Sequence, residues 1–315
     1  MVIQEARNFP FMAHAPTTPA LPAEKHAFDV VLEDGATASV RVYGEGPRVI
    51  CSHGNGLAAD AFRSFWRLFI DDYETVVFDF RHHGRSSPYR KPILQIWPQL
   101  IRDYDAIMKG ITRELGAAPS LGAFHSMSAL TTLLHAAEYE TPWIGIVGFE
   151  PPAMPPSHYP EFPIFHADNT RLTERTLKRR FEFQRVAELY ESYRRSSTFA
   201  GVDDSGLQAL AAATLRWNAD KQLYELACPR ELEAGIFAMR GMEDAWERIC
   251  RIKLPVQLVA GQPKAGPCPF IAIESAFARD GGFSFAIVQD ATHFMQMEKP
   301  EECAAIVRAF HAALR

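Results

Sequence analysis

Residues 121–129, Leu-Gly-Ala-Phe-His-Ser-Met-Ser-Ala, place a serine at the turn between a short apolar run and a helical Ala-Leu-Thr-Thr-Leu-Leu pattern. A sharp strand-to-helix turn of this kind holds the Ser126 hydroxyl clear of the sheet. It also aims the first amide N–H groups of the helix at any negative charge that develops there. Those are the requirements of a nucleophile that attacks a carbonyl and passes through an oxyanion. The turn departs from the G-x-S-x-G form at both ends, with Phe124 two residues before the serine and Ser128 two after it. Small residues relieve crowding in such a turn, so Phe124 is the anomaly. His293, in Asp-Ala-Thr-His-Phe-Met, lies between the last apolar run and the terminal helical pattern, and Glu150 ends the apolar segment Gly145–Phe149. Adjacent His82 and His83 do not face one ligand on an ordinary backbone, and the chain has no H-E-x-x-H, so neither reads as a metal ligand.

The elements that must position these residues are legible as patterns. Alternation at Phe28–Leu32 and Ala38–Val42 around Asp34-Gly35 predicts an antiparallel hairpin at a sheet edge. Short apolar runs at Val49–Cys51, Val76–Phe78, Leu121–Ala123, Ile144–Phe149, Val256–Ala260 and Phe283–Val288 read as buried parallel strands. Between them, Phe62, Phe65, Trp66, Phe69 and Ile70 fall on a helical stripe, as do Leu100, Ile101, Tyr104, Ile107, Met108 and Ile111. Pro300-Glu301-Glu302 opens a last helix with acids in its first turn. Residues 1–24 read as an irregular arm, 25–150 and 252–315 as one α/β core, and 151–251 as an inserted helical lid with no strand signal. The helical stretches within it are Glu174–Arg194 and Gly206–Trp217. Lys178, Arg179 and Arg180 among Glu174, Glu182 and Glu188 read as a solvated helix face without function.

Three segments in this order carry a resemblance: Ser52-His53-Gly54-Asn55-Gly56-Leu57 after the third strand, Asp79-Phe80-Arg81-His82-His83-Gly84-Arg85-Ser86 after the fourth, and the serine turn. Together they resemble the α/β-hydrolase superfamily across nearly all of the chain except the arm and the lid. The resemblance implies a mostly parallel central sheet flanked by helices, His293 as general base, and an oxyanion hole made by the backbone N–H groups of Asn55 and Met127. It leaves His53 a structural hydrogen-bonding role. The usual place for the acid, after the seventh strand, reads Gly261-Gln262-Pro263-Lys264-Ala265-Gly266-Pro267 and holds no carboxylate. Gly145–Pro155 instead looks like the stretch of haloalkane dehalogenases and lactone hydrolases whose acid follows the sixth strand, which implies Glu150; Asp290, Asp203 and Asp204 stay open as alternatives. Cys228–Phe237 is similar to lids in a hydrolase group that includes a yeast peroxisomal lipase.

A serine in place of an aspartate disfavours alkyl-enzyme chemistry. The expected function is therefore hydrolysis of an ester, lactone or thioester with a largely apolar body. Carbon–carbon bond hydrolysis of a diketone, a haloperoxidase side activity and a non-catalytic ligand-binding receptor are the competing readings. No cofactor and no metal are expected. Composition fits this picture: 315 residues with 47% hydrophobic and 23% charged content make an ordinary globular chain. A net charge of -5, with signs interspersed, argues against nucleic acid as partner. Five cysteines without a C-x-x-C pair read as reduced thiols. The absence of a long apolar stretch or a leader pattern reads as a cytoplasmic protein without membrane insertion, and the arm leaves room for a homodimer.

Overall fold

The computed structural model describes residues 23–88, 93, 95–265 and 268–314. Most of the N-terminal arm, residues 1–22, and the Gly266-Pro267 pair after the seventh core strand lie outside the described residues.

The apolar runs become strands because every second side chain in them has a core to enter. β1 (His26–Val31) and β2 (Thr37–Tyr43) form the edge hairpin, turned at Gly35 with φ +89. β3 (Arg48–Ser52), β4 (Glu74–Phe78), β5 (Ser120–His125) and β6 (Trp143–Phe149) follow, and β10 (Val256–Gln262) and β11 (Ser284–Gln289) close the series. These eight strands lie in the order β1-β2-β4-β3-β5-β6-β10-β11, parallel from β4 onward. Alternate residues feed two cores on opposite faces, as the period of two requires. Val40, Ile50, Phe78, Phe124, Ile146 and Leu258 enter one; Val49, Val77, Leu121, Ala123, Val147 and Val259 enter the other.

Helices cover both faces. α2 (Ile96–Leu115) and α3 (Met127–Glu138) pack on the first face, with Leu100, Tyr104, Leu130 and Leu133 buried. The second face is covered by α1 (Arg63–Trp66) and α11 (Pro300–Ala313), through Phe65, Trp66, Cys303 and Val307. The stripe around Phe65 is α-helical for one turn only, with tighter 3₁₀ turns at Ala59–Phe62 and Arg67–Phe69, yet its aromatics are buried as the pattern requires.

Between β6 and β10 the chain forms α4 (Phe162–Lys178), β7 (Glu182–Phe183), α5 (Val186–Arg194), α6 (Asp204–Thr214), β8 (Leu215–Asn218), β9 (Leu223–Leu226), α7 (Arg230–Phe237) and α8 (Ala245–Ile249). This corrects the expectation of strand-free helices over 174–194 and 206–217. β7, β9 and β8 make a small antiparallel sheet that interrupts both stretches. The N–H of Leu226 reaches the carbonyl of Phe181 at 3.0 Å, and the Trp217 and Tyr224 rings pair across strands at 5.0 Å. Strand pairing, within the β8-β9 hairpin and from β7 to β9, thus overrides a local pattern that suits a helix. α9 (Pro269–Gly281) and the short α10 (Met295–Glu298) complete the fold.

Candidate active site

The strand order reverses at β3, with β4 on one side and β5 on the other, and in sheets of this type the crevice at the carboxyl ends of the strands at such a point is where ligands bind. Ser52 at the end of β3 stands beside Phe124 of β5, so the loop after β3 and the turn after β5 leave the sheet side by side. Ser126 occupies that turn with φ 52 and ψ -116, a conformation that costs a non-glycine residue roughly 1–3 kcal/mol. Its N–H is tied to the carbonyl of Phe149 at 2.8 Å. Ser128 supplies a second clamp, its hydroxyl accepting the His125 N–H at 3.1 Å and donating to the His125 carbonyl at 2.9 Å. The Phe124 anomaly has an equally local answer. Its ring fills the space over Gly122, where a Cβ would stand 2.7 Å from Phe124 Cε2, and packs edge-on against Trp143 and Tyr104. The crowding moves two residues back along the strand and is relieved there by glycine.

His293 follows β11, and its Nδ1 lies 2.6 Å from Glu150 Oε2. Glu150 is buried at the end of β6 with φ 45, and its other oxygen accepts the Gly261 N–H at 2.8 Å. Gly261 sits in the stretch that lacks a carboxylate. A Cβ there would meet the carbonyl oxygens of Thr292 and Ala291 at 2.5 and 2.8 Å, so only glycine lets the His293 loop approach β10 this closely. Asp290, also at positive φ, is half exposed and faces Lys264, while Asp203 caps α6 by accepting the Gly206 N–H; neither approaches His293 by a hydrogen bond. With Nδ1 donating to the carboxylate, Nε2 faces away from Glu150. His293 and Ser126 line one cavity, although no Ser126–His293 hydrogen bond is formed among the described residues.

Two buried titratable groups flank this pair, and neither stands out in the sequence. His125 lies with its ring centroid 4.6 Å from that of His293, and burial, then the His293 charge, hold it well below the usual histidine range, so it is neutral. Glu274 on α9 is buried with neither oxygen hydrogen-bonded among the described residues. Burial, then the charge of Glu150, push its carboxyl well above the usual range, so it adds no second negative charge beside Glu150.

Asn55 and Met127 both border the cavity. Met127 is the first residue of α3, so its N–H has no acceptor within the helix. Gly54 brings the loop against the serine turn; a Cβ there would lie 2.8 Å from His125 Cδ2 and 3.2 Å from Ser126 Cβ. Two neutral imidazoles hold this loop. His53 Nε2 accepts the Phe80 N–H at 3.1 Å with Nδ1 on the Gly54 carbonyl, and His83 Nε2 accepts the Gly56 N–H at 3.1 Å with Nδ1 on the Arg81 carbonyl. Burial lowers both rings, which keeps Nε2 free to accept. Among the described residues no cluster of three or more His, Cys, Asp or Glu is placed to hold a metal ion, and no helix is long and apolar enough to cross a membrane.

The cavity measures about 690 Å³ and is walled by Ser126, Met127, His293 and Phe270 on one side and by the inserted segment on the other. Phe165, Leu189 and Phe237 are among the inserted aromatic and apolar residues that line it, with Ile164, Leu172 and Phe199, whereas Phe181 and Tyr190 pack in the second core and Trp246 lies on Phe277. Arg179 corrects the reading of its neighbourhood as a solvated face. α4 ends at Lys178, and Arg179 turns in to pair with buried Glu233 at 2.7 Å beside Gly56, where both border the cavity. Glu233 crowds Gly56 so closely that a Cβ would stand 2.7 Å from its carboxyl carbon, and its carbonyl accepts from Asn55 Nδ2 at 2.9 Å. The insertion therefore touches the Asn55–Gly56 loop directly, a contact between residues 178 apart that no local pattern announces.

Comparison with known proteins agrees with this architecture. Among solved structures, the chain is similar to E-2-(acetamidomethylene)succinate hydrolase, with a TM-score of 0.72 at 18% identity, over 91% of this chain and 100% of that one. It is also similar to a thioesterase domain from the curacin biosynthetic pathway, with a TM-score of 0.69 at 17% identity, over 90% and 100%. A thermophilic esterase from Thermogutta terrifontis gives 0.66 at 18% identity, over 92% and 99%. No curated protein sequence matches the chain. Residues 49–306 match the alpha/beta hydrolase family, a span that takes in the Asn55 loop, the serine turn, Glu150 and His293. The chain belongs to the alpha/beta hydrolase family.

Proposed function

We propose that this hydrolase is a serine enzyme that cleaves an ester, lactone or thioester with a largely apolar body through an acyl-enzyme. In this reading Ser126 attacks the carbonyl while His293 Nε2 takes its proton, and the tetrahedral oxyanion is held by the N–H groups of Asn55 and Met127. Glu150 keeps the proton on Nδ1 and stabilises the imidazolium. His293 then protonates the leaving group, and water returns along the same path to release the acid. Residues 151–251 act as a lid that supplies apolar contact and excludes water.

The observation that carries the reading is the 2.6 Å His293–Glu150 hydrogen bond in the wall of a cavity that also presents a serine at positive φ on a helix start. The curacin thioesterase and the Thermogutta esterase, similar in fold, make thioesters and esters the first substrates to try. The test is covalent labelling of intact protein with a fluorophosphonate, run beside turnover of 4-nitrophenyl esters. Ser126→Ala is expected to abolish both while leaving the thermal melt unchanged, with a loss in kcat of about 10⁴ to 10⁶. A labelled protein that turns over vinylogous diketones in preference to esters would transfer the assignment to carbon–carbon hydrolysis. Intact protein that resists labelling would leave a ligand-binding role.

A further inference from the structure

We propose that the substrate's apolar acyl chain ends in an anionic group, a carboxylate or its like, which Arg175 and Arg195 of the cavity wall receive. The inference rests on the acyl-transfer reading above and adds to it the chemistry of the end remote from the scissile bond.

One face of α4 borders the cavity along its length: Ile164 and Phe165 near the start are apolar, Asp168, Asn169 and Arg171 follow, and Leu172 precedes Arg175 near the end. Arg195, just past α5, borders the same cavity. Most charges bordering the cavity are matched within it. Arg171 is bonded to Asp168 at 2.8 Å, Arg179 to Glu233 at 2.7 Å, and Arg180 to Glu188. Arg175 forms no ion pair among the described residues. Arg195 has only a 3.7 Å contact with Glu191, a carboxylate that also serves Arg194 at 3.4 Å. The side chains that border the cavity include five arginines against three carboxylates, Asp168, Glu188 and Glu233, an excess of positive charge on a chain whose net charge is -5. An excess of cations over a cleft floored by apolar side chains favours a ligand that is apolar along its body and negative at its tip. A guanidinium offers a carboxylate two parallel N–H groups, which suits that tip.

The experiment compares 4-nitrophenyl monoesters of six- to twelve-carbon α,ω-dicarboxylic acids with the same compounds methylated at the distal carboxylate. At low salt the free-carboxylate ester of best-fitting length is expected to show about tenfold higher kcat/KM than its methylated partner, with the ratio shrinking in 0.5 M salt as exposed charges are screened. The ratio falls to near one in the Arg175→Gln/Arg195→Gln double variant and is retained in Arg175→Lys/Arg195→Lys. Equal kcat/KM for the two esters overturns the proposal, and so does a preference that survives the double glutamine variant. Should neither ester be cleaved, the assignment of Ser126 fails first, and the arginine site is read by calorimetry with monomethyl and dimethyl decanedioate. Tenfold tighter binding of the monomethyl acid upholds the site, and equal affinity removes it.

Discussion

Replacing Glu150 by Gln tests the proposed relay at the atom where the structure is most specific. Glu150 accepts two donors at once, His293 Nδ1 at 2.6 Å and the Gly261 N–H at 2.8 Å. A glutamine of the same shape has one acceptor and one donor. If its oxygen stays on Gly261, its amide faces Nδ1 and forces the proton to Nε2, where the imidazole can no longer act as base toward Ser126. If the amide is reversed, it meets the Gly261 N–H donor to donor. The charge also disappears. A carboxylate and an imidazolium about 4 Å apart attract by about 4 kcal/mol at an effective dielectric of about 20, which alone is about 10³ in rate at 1.36 kcal/mol per decade. Inversion of the tautomer carries the loss towards about 10⁴. The assay is kcat for a 4-nitrophenyl ester at pH 7.5, together with a thermal melt to establish that the variant is folded. A folded Glu150→Gln protein with kcat within about tenfold of the parent would refute the reasoning and send the acid elsewhere.

Other consequences are equally direct. Gly54→Ala forces a Cβ to within 2.8 Å of His125 and 3.2 Å of Ser126, so kcat/KM for any ester should fall at least about tenfold, since misplacement by an ångström can cost about 10²; an unchanged value would mean the loop yields freely. Arg179→Met leaves the Glu233 carboxylate without its partner, and denaturant titration should show a loss of about 2–3 kcal/mol, less than for a fully enclosed pair because Arg179 is 26% exposed. Glu274→Met tests linkage. The folded carboxyl is held well above its unfolded value, so at neutral pH the folded chain binds a proton that the unfolded chain has released, and this penalty fades as pH falls towards the ordinary value of 4.5. The variant should therefore melt higher than the parent at pH 8, with an advantage that shrinks by pH 5. An equal shift at both values, or a lower melt at pH 8, would contradict the buried, neutral carboxyl.

Local order along this chain was written into its residue pattern. The strands at Val49, Val76, Leu121, Ile144 and Val256 appear where short apolar runs meet turn residues, because a strand buried on both faces needs no more than that; the run at Phe283–Val288 also forms a strand, but at the sheet edge with Ile287 exposed rather than buried. The serine turn, the Asn55 loop and the family resemblance were legible for the same reason, being contiguous segments with fixed chemistry. Departures such as Phe124 and Ser128 were visible as anomalies but not as solutions. That Gly122 houses the Phe124 ring, and that Ser128 ties the turn to His125, depends on which face each side chain enters. The β7-β9-β8 sheet escaped the helical reading because its strands are only two to four residues long, β8 and β9 pairing as a short hairpin and β7 joining from a distant part of the chain. What only the tertiary structure decided is the convergence: Glu150 on His293 from 143 positions away, Glu233 against Gly56, His125 beside His293 and buried Glu274 within reach of the Glu150 charge. Periodicity describes which residues leave water; where two buried polar groups meet is decided by the crossing of strands and helices, and that is a property of the whole chain folded at once.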